Sequence, residues 1–130
     1  MNKELYGVLV DVKNNIVEPK NILDNLDSYY KELNCSTIDI VERRIGNNHK
    51  YFNIICDDEG LLTDNPKISA ISSNMQPMLY GNLFIVGDVD ENGNLLSLTE
   101  KEAKYILKHM TYVFSKRNPV PFPVISNMEY

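Results

Sequence analysis

The segment Asp88-Val89-Asp90-Glu91-Asn92-Gly93 places side-chain oxygens at the first, third and fifth positions of a loop and glycine at the sixth. That is the opening half of a calcium-binding loop. The twelfth position falls on Thr99, which cannot supply the closing bidentate carboxylate, and the residues before Asp88 read as a strand rather than a helix. A polar hairpin loop turning at Asn-Gly accounts for the same residues without metal, and no metal ligand is assigned. Asp57, Asp58, Glu59 and Asp64 form a second acidic cluster. Paired carboxylates perform acid–base chemistry when their surroundings drive their pKa values apart; neighbouring carboxylates in a turn ordinarily face water. The two histidines, His49 and His109, lie in no nucleophile motif, and without a Cys-x-x-Cys pair they do not suggest structural zinc. Cys35 and Cys56 lack the basic or helix-opening neighbours that would activate a thiol and are read as buried. The six glycines occur singly, so there is no phosphate-cradling loop. Arg43-Arg44 is an isolated basic pair, and the basic residues Lys104, Lys108, Lys116 and Arg117 are ascribed to the C-terminal dipole of one long helix. No catalytic residue and no cofactor is assigned, and the chain is expected not to be an enzyme.

Binding is the remaining chemistry. The stretch from Asn65 to Gln76 shows weak periodicity and carries Asn65, Lys67, Ser72, Asn74 and Gln76, whose polar groups would line a pocket. Beyond the last helix, Phe122, Val124, Ile125 and Met128 are apolar. They either strap across the core, the preferred reading, or form an arm that adds to a partner's sheet, and Phe122 is counted with the candidate binding residues.

These residues need a frame. At 130 residues, 43% of them apolar, the chain has room for one hydrophobic core. The longest apolar run, Leu83 to Val86, is far too short to span a membrane, and Met1 to Leu5 shows no signal-like stretch, so a cytoplasmic protein is expected. Eighteen acidic against thirteen basic residues give a net charge of −5, which disfavours nucleic-acid binding. Eight tyrosines and no tryptophan leave open whether the phenols are core or contact surface.

Leu5 to Val12 reads as a strand, Lys13-Asn14-Asn15 as a turn, and Ile16-Val17 as a short return that Pro19 terminates. A helix is predicted over Asn21 to Leu33, capped by Asn21 and stopped by Asn34. Thr37 to Ile45 and Tyr51 to Cys56 form a hairpin about Gly46-Asn47-Asn48. Residues 61–80 are irregular; Asn82 to Val89 is a strand, and Leu95-Leu96 pairs back. Thr99 and Glu102 make a capping box for a last helix with an apolar stripe from Ala103 to Phe114, ending near Lys116. The three prolines between Asn118 and Pro123 keep the tail from being helical.

The order of features resembles the bacterial family catalogued as domain of unknown function 3846. The resemblance rests on Val17-Glu18-Pro19, Ile22-Leu23-Asp24-Asn25-Leu26, Ile38-Asp39-Ile40-Val41, Asp57-Asp58-Glu59-Gly60-Leu61-Leu62 with Asn65-Pro66, Gly81 to Gly87, and Ser97-Leu98-Thr99-Glu100. It spans about residues 5 to 110 and leaves the proline-rich tail outside. It implies an accessory protein of a phage or other mobile element in Firmicutes, and it carries over no catalytic residue. The Lys-, Asn- and Ile-rich composition suits a low-GC clostridial host.

The expected fold is therefore α+β: one domain over 1–117, with a small mixed or mostly antiparallel sheet packed by two helices and an irregular 61–80 segment, followed by an extended tail over 118–130. The expected function is binding and modulation of a host or element protein, which includes countering a defence system. A nucleotide-like small-molecule binder is the alternative, and a hydrolase built on the 57–59 turn ranks third. The partner expected is a protein, with a homodimer compatible and neither nucleic acid nor membrane involved.

Overall fold

The computed structural model describes residues 3–47, 50–63, 66–114, 116 and 119–130. The strands and helices are β1 (Glu4–Asp11), β2 (Ile16–Leu23), α1 (Leu26–Leu33), β3 (Ile38–Ile45), β4 (Tyr51–Asp57), β5 (Ile68–Ile71), β6 (Pro77–Tyr80), β7 (Leu83–Val86), α2 (Glu100–Lys108), β8 (Met110–Val113), β9 (Phe122–Ile125) and β10 (Met128–Glu129). The fold is α+β and rich in strand, but the strands form two sheets rather than one. The large sheet runs β10-β3-β4-β7-β1-β2 and is antiparallel throughout. The small sheet runs β6-β5-β9-β8, with β5 and β9 parallel.

Period-two alternation divides the large sheet's side chains between its faces. Val8 and Val10 of β1 with Val12 just beyond it, Phe52, Ile54 and Cys56 of β4, and Leu83 and Ile85 of β7 point one way and meet Ala70 and Ile125 of the small sheet and Ala103 and Ile106 of α2. Leu5, Leu9, Ile55, Phe84 and Val86 point the other way, onto Tyr29 and Leu33 of α1. Each helix covers one face, so the sheet is packed on both sides.

Several boundaries differ from the sequence expectation. Pro19 does not end β2: it sits opposite Val8 on the outermost strand, where its missing N–H faces no neighbour. The strand continues to Leu23, which moves the first helix's N-cap from Asn21 to Asn25, whose side chain accepts from the Ser28 N–H. Ile22, assigned by spacing to the helix, is a buried strand residue. Asn34 ends α1 in the left-handed conformation, as its type suggests. The 61–80 stretch is not irregular throughout, because β5 and β6 form a bulged hairpin within it. The strand expected over Asn82–Val89 is Leu83–Val86, with Val89 bridging to Leu95 beyond it.

The largest correction concerns α2. The capping box at Thr99 and Glu102 is present, but the helix stops at Lys108, and Met110 to Val113 form β8. Thr111, Tyr112 and Val113 are β-branched or aromatic, and a neighbouring strand outweighs the helical periodicity they also satisfy. That neighbour is β9, supplied by the proline-rich tail. The tail is not an appendage: β9 lies inside the small sheet and β10 joins the edge of the large one. The Asn47 end of the β3–β4 turn is described, whereas Asn48 and His49 lie outside the described residues.

Candidate functional site

Buried Asn82 organises the ground around the acidic turn. Its Oδ1 accepts from the Val12 N–H at 2.8 Å, its Nδ2 donates to the Leu33 carbonyl at 3.0 Å, and its own carbonyl accepts from the Asp57 N–H at 3.2 Å. One residue thus fixes the ends of β1, α1 and β4. Asp57 then turns the chain: its Oδ1 accepts from the Glu59 N–H at 2.9 Å, and its carbonyl accepts from the Gly60 N–H. Gly60 packs against the Tyr80 carbonyl and against Gly81, whose φ of +83° favours glycine. Two hollows flank this glycine contact. One, of about 230 Å³, runs beside β6 past Asp39, Asp57, Asp58 and Met78. The other, of about 330 Å³, is lined by Val12, Lys13, Asp57, Gly60, Thr63, Lys67 and Gly81.

The residues expected to line one pocket are distributed differently. Of the described ones, Lys67 reaches the second hollow, which Lys13, not singled out from the sequence, also lines. Ser72, Asn74 and Gln76 lie at the opposite end of β5, in the turn to β6. There the buried Ser72 Oγ accepts from the backbone N–H groups of Asn74 and Gln76, both at 3.2 Å, so the hydroxyl builds the turn. Asn74 and Gln76 are exposed. Phe122 is buried with Ile71 and Val124 in a small apolar cluster, which makes it a core residue of the strap. Asn65 lies outside the described residues.

The 88–94 loop is a hairpin. Asp90 Oδ1 accepts from the Asn92 and Asn94 N–H groups at 2.8 and 2.9 Å, and the Asn94 amide bond chiefly holds the Asp90 carboxyl below its ordinary pKa. Gly93 has a φ of +81°. Among the described residues, no three His, Cys, Asp or Glu side chains converge as metal ligands. Both cysteines are free; burial, with help from Asp39, pushes the Cys56 thiol up to about 11, and burial also raises Cys35. His109 caps α2 and stacks edge-on against Tyr105, whose hydroxyl donates to the Ile45 carbonyl at 2.7 Å. These groups hold the fold together.

What sequence reasoning missed is a surface. β8 is the last strand of the small sheet, and nothing among the described residues pairs with its outer side. Tyr112 is 61% exposed, Phe114 72% and Val120 65%. The Ser126 N–H donates to the His109 carbonyl, and strict alternation from that bond makes Thr111 and Val113 the residues bonded to β9. Met110 and Tyr112 therefore direct their backbone N–H and C=O groups outward. Tyr112 stands opposite Pro123, which has no N–H to offer it, consistent with that register. Placing Tyr112 on a helix and Phe114 in its apolar stripe concealed them; the β-branched run beside them was the available signal.

No helix among the described residues is long and apolar enough to cross a membrane. The chain belongs to the family described as Domain of unknown function (DUF3846), whose model matches residues 5–111. No curated protein and no solved structure matches it.

Proposed function

We propose that this chain is a non-enzymatic binding protein of a phage or other mobile element, which modulates a host or element protein by docking it on the β8 edge. One observation carries the reading: an unpaired strand edge flanked by exposed Tyr112, Phe114 and Val120. Soluble domains ordinarily blunt their edges, and an edge kept open beside aromatic side chains is suited to adding a partner's strand. A photo-crosslinking amino acid at Phe114, introduced in cells that carry the gene, is expected to give one discrete adduct. The same group at Leu26, exposed on α1, serves as the control. Identical adduct patterns at the two positions, or none at Phe114, would contradict the reading.

A second reading has its own observation. Lys13 and Lys67 line one hollow with Thr63, a better phosphate setting than Lys67 alone. Asp57 on the same wall opposes an anion, and the Lys13 Nζ already donates to the Asn34 carbonyl. A nucleotide panel that raises the unfolding temperature of the native chain but not of Lys67→Glu would favour this alternative. The hydrolase reading has less to stand on, because Asp57 Oδ1 is engaged by its own turn.

A further inference from the structure

Resting on the reading of β8 as a docking edge, we infer that the partner presents an acidic, extended segment that adds to β8 as a fifth strand of the small sheet. Charge is segregated along this chain. Residues 100–117 carry five basic and two acidic side chains, while the remainder carries eight basic and sixteen acidic. The basic stretch contains β8 itself.

A helix dipole does not account for it. α2 ends at Lys108, so Lys116 belongs to no helix end, and Lys101 lies in the first turn, where a cation is disfavoured. Lys101, Lys104, Lys108 and Lys116 are all exposed, and among the described residues none forms an ion pair. Lys101, Lys104 and Lys108 line a hollow of about 550 Å³ with Glu100 and Tyr105, and Lys108 is two residues from the start of β8. A strand laid along β8 would receive the outward N–H and C=O of Met110 and Tyr112. Its carboxylates would meet the lysines at either end, and its apolar side chains the aromatic rings. A phosphodiester backbone would satisfy the lysines but lacks the regularly spaced N–H donors that the outward carbonyls call for, and the acidic remainder of the molecule would repel it. The observations therefore favour a peptide.

Random twelve-residue peptides displayed on phage are the probe, selected against the full chain. Enriched sequences are expected to alternate apolar residues with Asp or Glu. They should bind Tyr112→Thr, which keeps the edge amide, and bind Tyr112→Pro at least tenfold more weakly, because proline removes that donor. The double variant Lys104→Glu, Lys108→Glu changes only exposed side chains and should lose roughly tenfold in affinity, with the loss shrinking at high salt. Matching unfolding temperatures for the variants show that each is folded. Peptides that need the Tyr112 amide but are neutral or basic would overturn the acidic class and leave the docking edge standing. Peptides indifferent to the amide would overturn the added strand, and the Phe114 crosslink then decides separately whether the edge binds protein at all. A single-stranded oligonucleotide that binds the lysines where no acidic peptide does would also overturn the inference.

Discussion

Asn82→Asp tests whether the interior around the candidate clefts is organised as described. Asn82 is 2% exposed and serves two buried backbone groups, accepting from Val12 N–H and donating to Leu33 C=O. Asn82→Ala abandons both, and at about 1–3 kcal/mol for each unsatisfied buried group the cost is about 4 kcal/mol. Asn82→Asp keeps the shape and the acceptor but turns the donor into a second oxygen facing a carbonyl. At neutral pH it buries an uncompensated charge, for about 3–5 kcal/mol. Burial and the facing carbonyl both raise the introduced carboxyl's pKa in the folded state. A raised folded pKa contributes stability that is complete below the unfolded value of ~3.9 and lost as pH rises through the folded value. The protonated form can donate to Leu33 C=O, so the deficit against the native chain should be about 4 kcal/mol at pH 7 and fall to about 1 kcal/mol near pH 4. Urea unfolding of the native, Asn82→Ala and Asn82→Asp chains at both pH values measures this. The Asn82→Ala deficit should stay nearly constant. An Asn82→Asp deficit that is small at pH 7, or that does not shrink on acidification, would refute the assigned orientation of the amide and its role as the side-chain tie between the ends of β1 and α1.

Two further predictions concern stability. An alanine Cβ at Gly60 would stand 2.3 Å from the Tyr80 carbonyl oxygen, a clash between two backbones, whereas at Gly93 nothing lies within 4 Å and only the φ of +81° is at stake. Gly60→Ala should therefore cost about 2–3 kcal/mol and Gly93→Ala about 1 kcal/mol in urea unfolding; equal losses would mean that the Gly60–Tyr80 approach relaxes freely. Burial alone would raise the Glu102 carboxyl, but hydrogen bonds from Lys50 and Thr99 hold it below its ordinary pKa. Stability gained this way is present above the ordinary value and lost as pH falls through the lowered one, so the cost of Glu102→Gln, about 0.5–1 kcal/mol at pH 7, should shrink once pH falls below the ordinary Glu value and vanish only after the lowered one is passed. A cost independent of pH would assign the effect to packing.

Local chemistry was readable where it acts alone. Asn34 stops α1, Thr99 and Glu102 cap α2, and Asn15 turns the chain at a φ of 56°. The β3–β4 hairpin was legible because its pairing is local. The errors fall where a distant strand decides. Pro19 is tolerated because β2 is outermost, and nothing near Pro19 says which strand will be outermost. The Gly60–Gly81 contact that separates the two clefts joins residues far apart in sequence, as does the pairing of Lys13 with Lys67. The polar residues of the supposed pocket were misread for a related reason. Ser72 hydrogen-bonds its own turn, and a side chain's chemistry does not reveal whether the backbone has already claimed it.

The end of α2 shows how one such error reaches function. Ala103, Ile106, Leu107, Met110, Val113 and Phe114 fit a helical stripe, and on a helix the nearby lysines would be dipole partners and Tyr112 a helix residue. Phe122 to Ile125 pair with Met110 to Val113 and convert that half of the stripe into an edge strand. Tyr112 and Phe114 then project from the edge, and Lys116 no longer has a dipole to answer to. The tail therefore does more than strap the core: by recruiting β8 into the small sheet it creates the open edge on which binding is proposed. The matched family region ends at residue 111, halfway through β8. β9, Phe114 and Val120 lie beyond that match, while Met110, Thr111 and the lysines of α2 lie within it, so the family region and the tail build the proposed edge together.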